Sequence, residues 1–176
     1  MKNDFCINGD VTTIYLPNKL GGFRETTIST SDLKRAMEFP NVWYANFTRE
    51  VNSFYVKGSL NVDLKRRKFY LHRWLLNPMP DLKIDHINHD TLNNQRNNLR
   101  ICSNAENMRN TAMNYNNTSG ALGVRLTPNQ KKWTAGITVN GKTIRLGVFE
   151  DIRDAVTARK MAEVQYFGEF RFRGIT

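Results

Sequence analysis

The sequence predicts an α+β protein built from a β-rich N-terminal region, a short strand–loop–strand–helix unit, and a small three-stranded antiparallel sheet packed on one helix. Three observations carry this expectation. β-Branched and aromatic runs, Val11–Pro17 and Phe54–Lys57, mark the first region as strand-forming. Asn140-Gly141 stands between two alternating segments and is a strong hairpin signal. Ser103-Asn104-Ala105-Glu106 has the spacing of a helix capping box and follows the short run Leu99–Cys102.

Taken in order, Asn8-Gly9-Asp10 and Gly21-Gly22 are turn signals among the first strands. A short helix is expected after Ser31, with Ser31 as its N-cap and Pro40 as its stop. Lys65-Arg66-Arg67-Lys68 reads as a solvated turn just ahead of the chemical centre, where it can meet a phosphate. Segment 76–113 is rich in Asn, His and Asp. Its short strands are Ile84–Asn88 and Leu99–Cys102, and a helix follows Ser103. Leu122–Thr127, Lys132–Val139 and Lys142–Phe149 read as three strands, and Ile152–Tyr166 as a helix capped near Asp151 and ended by Gly168. The polar stretch 114–119 separates the pieces, so domains are expected at 1–113 and 120–176 with a linker between them.

The chain has 176 residues, 40% of them hydrophobic. No apolar run approaches the ~20 residues a membrane helix needs, and the start lacks a basic segment followed by an apolar stretch. A cytoplasmic, membrane-free protein is the expectation. Two cysteines, Cys6 and Cys102, without a CxxC pair exclude a disulfide scaffold and a cysteine-built zinc site. The net charge of +10 points to a polyanionic partner. That excess is uneven: +4 over residues 1–70, +1 over 71–115 and +5 over 116–176. The nearly neutral middle leaves acidic groups that could serve a metal.

Within that middle, Asp85 and His86 are adjacent and point to opposite faces of a regular strand, unless a bulge or strand end brings both to one site. Asn107 falls on the second turn of the following helix. One carboxylate and one amide oxygen suit a hard cation such as Mg²⁺, and a neutral imidazole can take a proton from water near pH 7. This set suits phosphodiester hydrolysis. His72 reads as a core histidine, His89 as an exposed loop residue, and Cys102 as a small buried hydrophobe.

The run DHINHDTLNNQRNNLRICSNAENMRN, residues 85–110, resembles the HNH nuclease motif in its phage homing-endonuclease branch, where Asn is the last member. The resemblance implies a ββα-metal fold. It makes Asp85 the metal-binding acid, His86 the general base and Asn107 the second metal ligand. It makes Asn98 the middle residue, which ties the loop together and orients the histidine. The cofactor implied is Mg²⁺ (or Mn²⁺), the substrate double-stranded DNA, and the products 3′-hydroxyl and 5′-phosphate ends. The pattern departs from the family at Asn93-Asn94-Gln95, where members often read Asp-Asn-Arg. One site per chain implies one nick per visit by a monomer or weak dimer, in the host cell cytoplasm if phage-encoded.

The third piece has cations and aromatics at alternating positions that suit a sheet laid in the major groove: Arg125, Lys132, Trp133, Thr143 and Arg145. Strict alternation does not allow all five on one face, and the register is open. Ser119-Gly120, Gly123-Val124-Arg125, Lys132-Trp133, Ala135, Ile137, Arg145-Leu146-Gly147, Phe149 and the Ala-rich helix resemble the DNA-binding domain of plant ethylene-response factors, which recurs in phage HNH endonucleases. The resemblance implies DNA contact through Arg125, Trp133 and Arg145. The plant pattern has Glu and Arg where Gly136 and Thr138 stand, so base preference does not carry over. Arg109 and Arg67 are further candidate DNA contacts. The expected function is a site-specific homing endonuclease; the rivals are a nonspecific or structure-selective HNH nuclease and a catalytically silent DNA-binding regulator.

Overall fold

The computed structural model describes residues 1–17, 23–110, 117–127, 129 and 131–171. Helix and sheet are mixed, as an α+β chain requires. Two compact units divide the chain, Met1–Ser103 and Asn104–Thr176. The first unit ends at Ser103, directly before the helix that follows it. Gly21-Gly22 and positions 114–116 of the expected linker lie outside the described residues.

The first unit opens with β1 (Phe5–Asn8), β2 (Val11–Pro17) and β3 (Phe23–Ser29), then α1 (Leu33–Met37). β4 (Trp43–Thr48), β5 (Ser53–Val62), β6 (Lys65–Tyr70) and α2 (Leu71–Leu76) follow. β7 (Lys83–His86), the two-residue β8 (Asn93–Asn94) and β9 (Leu99–Cys102) complete it. Three sheets result, ordered β1-β2-β3-β8, β4-β5-β6 and β7-β9. β8 runs parallel to β3, pairing Thr27 with Asn93 and Ile28 with Asn94, and so sutures the Asn-rich loop to the N-terminal meander. Alternation sets the core: β2 turns Thr12, Ile14 and Leu16 inward and leaves its other residues half-buried or exposed. Ile14, Leu16, Ile28, Phe39, Trp43, Val56 and Leu71 form one apolar cluster, with Phe39 stacked on Trp43 at 4.0 Å between ring centroids.

Gly58 on β5 exists to admit that stack. A Cβ there would stand 2.3 Å from the Phe39 ring, closer than real carbon atoms approach. Gly58→Ala is therefore expected to overpack the core and cost about 1–3 kcal/mol in urea unfolding.

Two local expectations are corrected. Thr30–Asp32 forms a 3₁₀ turn and α1 is only five residues long, so Asp32, not Ser31, stands at its N-cap. The Asp32 side chain makes no capping bond, because Arg96 donates from Nε and Nη2 to its buried carboxylate at 2.6–3.1 Å. Lys65–Lys68 is exposed strand, not turn. Pairing of Val62 with Lys65 closes the hairpin one step earlier, at Asp63-Leu64.

The second unit contains α3 (Asn104–Arg109), β10 (Val124–Thr127), β11 (Lys132–Val139), β12 (Lys142–Phe149) and α4 (Ile152–Phe167). The strands form an antiparallel sheet in sequence order. α4 begins where the Asp151 carboxylate accepts from the Arg153 backbone N–H at 2.8 Å, and it ends at Gly168. Its Ala155, Ala162 and Phe167 pack with Val124, Ala135 and Ile137 of the sheet. Among the described residues no helix is long and apolar enough to cross a membrane.

Candidate active site

β7 and β9 form a short antiparallel ladder with unbroken register: Asp85 faces Arg100 and His86 faces Leu99. No bulge separates the two candidate residues; His86 is simply the last residue of its strand. The backbone turns at once, with Ile87 N–H donating to the Asn98 carbonyl at 2.9 Å and His89 N–H to the His86 carbonyl at 3.0 Å. Asp85 and His86 are 7% and 5% exposed. The directly opposed Arg100 donates to Asp85 Oδ2 from Nε at 2.9 Å and Nη2 at 2.5 Å. This is a charge-assisted pair with little solvent around it.

Hydrogen bonds fix the His86 tautomer. Thr26 Oγ1 donates to the Leu92 carbonyl, so it accepts from Asn94 Nδ2 at 2.9 Å. Nδ2 also donates to the Thr91 carbonyl at 3.4 Å. The fully buried Asn94 amide is thereby held with Oδ1 toward His86 Nε2, at 3.3 Å. An amide oxygen only accepts, so Nε2 carries the proton and Nδ1 carries the lone pair. Burial lowers the His86 pKa below 6.5, against smaller opposing effects of the Asn94 bond, Asp85 and Asp90. The ring is neutral at pH 7. Asn94 is the residue beside the candidate imidazole that sequence reading missed. Its signal was present as the departure at Asn93-Asn94-Gln95, but a β-strand pairing across 66 residues is needed to bring Thr27 beside Asn93 and Thr26 beside Asn94.

His72 is buried on α2, its ring edge-on to His86 at 5.1 Å, with Tyr55 and Tyr70 closing around it at 5.9 Å and 5.4 Å. Tyr55 also meets His86 edge-on at 6.1 Å. Burial, then the neighbouring His86 and Arg73, push the His72 pKa down from 6.5 to about 3. The unfolded chain binds this proton below pH 6.5 and the folded protein does not until about pH 3. Stability from this group is thus intact above 6.5 and lost as pH falls through that window, at about 1.4 kcal/mol per pH unit. Urea midpoints should drop between pH 7 and pH 5, and His72→Phe should shrink the drop.

Asn98 is buried and works on the loop. Its Oδ1 accepts from the Asn88 backbone N–H at 3.0 Å, and its Nδ2 donates to the Asn93 carbonyl at 2.8 Å. The amide that meets the imidazole is that of Asn94. Asn107 lies on α3, in the second unit. Among the described residues no group of three or more His, Cys, Asp or Glu gathers as a metal cluster. A site of one carboxylate and one amide would not form such a group. Asp85 on β7 and Asn107 on α3 each carry an oxygen donor of the type a hard divalent cation takes.

In the second unit the register decides which candidates share a face. Arg125 pairs with Thr134, Gly136 with Arg145 and Thr138 with Thr143, all on one side of the sheet. Lys132 has the same parity and pairs with Glu150 at 2.7 Å. Trp133 is turned to the α4 side, where, partly buried, it packs on the Val124, Ala135 and Ala155 cluster. An aromatic between core positions on a sheet covered by one helix gains more by burial than by exposure. Arg109 on α3 lies over the Phe167 ring at 5.3 Å. Arg67 is exposed on β6 in the first unit, with Asp63 at 3.6 Å.

No curated protein and no solved structure matches this chain. Residues 77–109, which run from the approach to β7 through the loop and β9 to the end of α3, match the HNH endonuclease family, and this similarity supports a nuclease.

Proposed function

We propose that the protein is a site-specific DNA endonuclease of the homing type, acting as a monomer or weak dimer in the host cytoplasm of a phage. One observation supports it above the others. Within the HNH-like segment lies a buried, neutral imidazole whose Nε2 proton is held by Asn94, which makes Nδ1 the basic nitrogen. A base of this kind suits proton abstraction from water at neutral pH.

In this reading Asp85 and Asn107 would hold Mg²⁺ (or Mn²⁺), as in a ββα-metal unit. The ion supplies charge stabilisation at the phosphate when bound. His86 Nδ1 takes the proton of the attacking water, while Asn94 keeps the ring in the required tautomer. Asn98 holds the loop that follows β7, and so holds the strand end that carries His86. The face of the C-terminal sheet opposite α4, with Arg125, Thr143 and Arg145, anchors the chain on duplex DNA in the manner of the ethylene-response-factor domain it resembles. Lys132, Arg109 and Arg67 add phosphate contacts. The products are 3′-hydroxyl and 5′-phosphate ends.

The test is cleavage of a supercoiled plasmid carrying the candidate genomic target, in Mg²⁺ or EDTA. Metal-dependent nicking at one position supports the reading. Mg²⁺-dependent smearing replaces it with a nonspecific nuclease, and tight binding without cleavage in any divalent metal with a silent regulator. Asn107→Ala is expected to raise the Mg²⁺ midpoint of nicking by about tenfold or more, since a lost ligand costs at least what a lost outer-shell partner does. An unchanged metal titration would remove Asn107 from the site.

A further inference from the structure

The β5–β6 hairpin has two features that folding does not require. Leu64 at its tip is 104% exposed, the most exposed large apolar side chain among the described residues. It also sits at φ +61, after Asp63 at φ +50. Two successive left-handed residues make the tight hairpin turn in which Asn-Gly is favoured and a leucine is strained. The hairpin between β11 and β12 uses that favoured pair, Asn140-Gly141, at φ +50 and +76. Here the same geometry is occupied by a leucine that touches solvent on every side.

The second feature is charge. Lys65, Arg66, Arg67 and Lys68 return from the tip along β6, the edge strand of its sheet, and all four are exposed. Successive side chains of a strand point to opposite faces, so cations flank the hairpin on both sides. Within this run Arg67 makes a long, exposed ion pair with Asp63 at 3.6 Å.

The base of the hairpin lies at the candidate active site. Tyr55 of β5 is edge-on to His86, and Tyr70 of β6 packs on His72. From Tyr70 to Leu64 is six residues of strand, roughly 20 Å at ~3.3 Å per residue. We infer that this hairpin is a DNA-deforming wedge: Leu64 enters a base step of the duplex from the minor groove, while Lys65–Lys68 grip the flanking phosphates. Apolar wedges beside cations unstack a step and bend the helix in this way. The reach places the distorted step about six base pairs from the scissile phosphate, at ~3.4 Å per base pair. The inference rests on the nuclease reading for its ligand. A membrane surface would also take cations and a leucine, but the position beside His86 favours the molecule that the site would cut.

The test uses the full chain, a mixed-sequence 40-base-pair duplex labelled at both ends for energy transfer, and EDTA to prevent cleavage. The wild type is expected to bring the ends together and to make a thymine near the step reactive to permanganate. Leu64→Asn suits the left-handed turn better, so it should melt at the same or a higher temperature and bind within about threefold, yet lose the bend. Replacing the four cations by Gln should lower the slope of log K against log salt by about 3 to 4. Wild-type bending by Leu64→Asn overturns the wedge and leaves the nuclease reading standing, provided the plasmid is still nicked. Binding to phosphatidylserine vesicles in place of the duplex overturns it in favour of a membrane. A wild type that neither binds nor nicks any duplex overturns both readings.

Discussion

His86→Ala is expected to slow single-turnover nicking by about 10²- to 10⁴-fold, the usual contribution of a positioned acid–base group, while duplex affinity stays within about twofold. The separation follows from location. His86 is buried at the end of β7, whereas the exposed cations lie on β6 and on the sheet face of the second unit. The variant also strands Asn94 Oδ1, which now meets the ring nitrogen, so about 1–3 kcal/mol of stability should go with the ring. Urea unfolding beside nicking keeps the two losses apart. The pH profile gives a further check. Burial lowers the His86 pKa, so the acid limb of the nicking rate should lie below pH 6.5 and be absent from the residual activity of the variant. Cleavage by His86→Ala at the wild-type rate would end its assignment as base.

Asp85→Ala should be damaging twice over. It removes the carboxylate proposed to hold the metal, and nicking should be lost at any Mg²⁺ concentration. It also removes the anion opposite Arg100, whose guanidinium is largely withdrawn from water. Removing one member of such a pair costs about 3–5 kcal/mol, whereas replacing both by apolar groups is often near neutral. The double variant Asp85→Ala, Arg100→Met is therefore expected to regain most of the stability and none of the activity. Unfolding curves of the three proteins together with a Mg²⁺ titration distinguish these outcomes. A single Asp85→Ala that stays active would leave the carboxylate with a purely structural role beside Arg100.

Much of the secondary structure was legible because it is locally encoded. Asn140-Gly141 sets a hairpin by its own backbone preferences, and Asp151 and Gly168 bracket α4 by chemistry confined to one turn. The alternation of β2 and β11 reports which side is buried without reference to a partner. Where local signals compete with distant partners, they mislead. Ser31 has good capping chemistry, but it lies inside a 3₁₀ turn, and Asp32, held by the distant Arg96, stands at the start of α1. Lys65–Lys68 looks like a turn by charge, but the register across Val62 and Lys65 makes it strand.

The candidate site divides in the same way. By itself the sequence determined the chemical inventory: Asp85, His86, Asn98 and Asn107 at HNH-like spacing, and cations concentrated at the two ends of the chain. It also determined that Asp85 and His86 are neighbours on one short strand, because four residues of regular strand need only local geometry. Only the tertiary structure decided which nitrogen of His86 bears the proton. That depends on Asn94, oriented by a hydroxyl from β3 and a carbonyl from its own loop. Tertiary structure also decided that Trp133 faces a helix and Arg145 the opposite side, because strand register is set by cross-strand pairing and burial, not by the residue's own preference. Local stereochemistry is written within a few residues; protonation, register and burial are set by groups that only folding brings together.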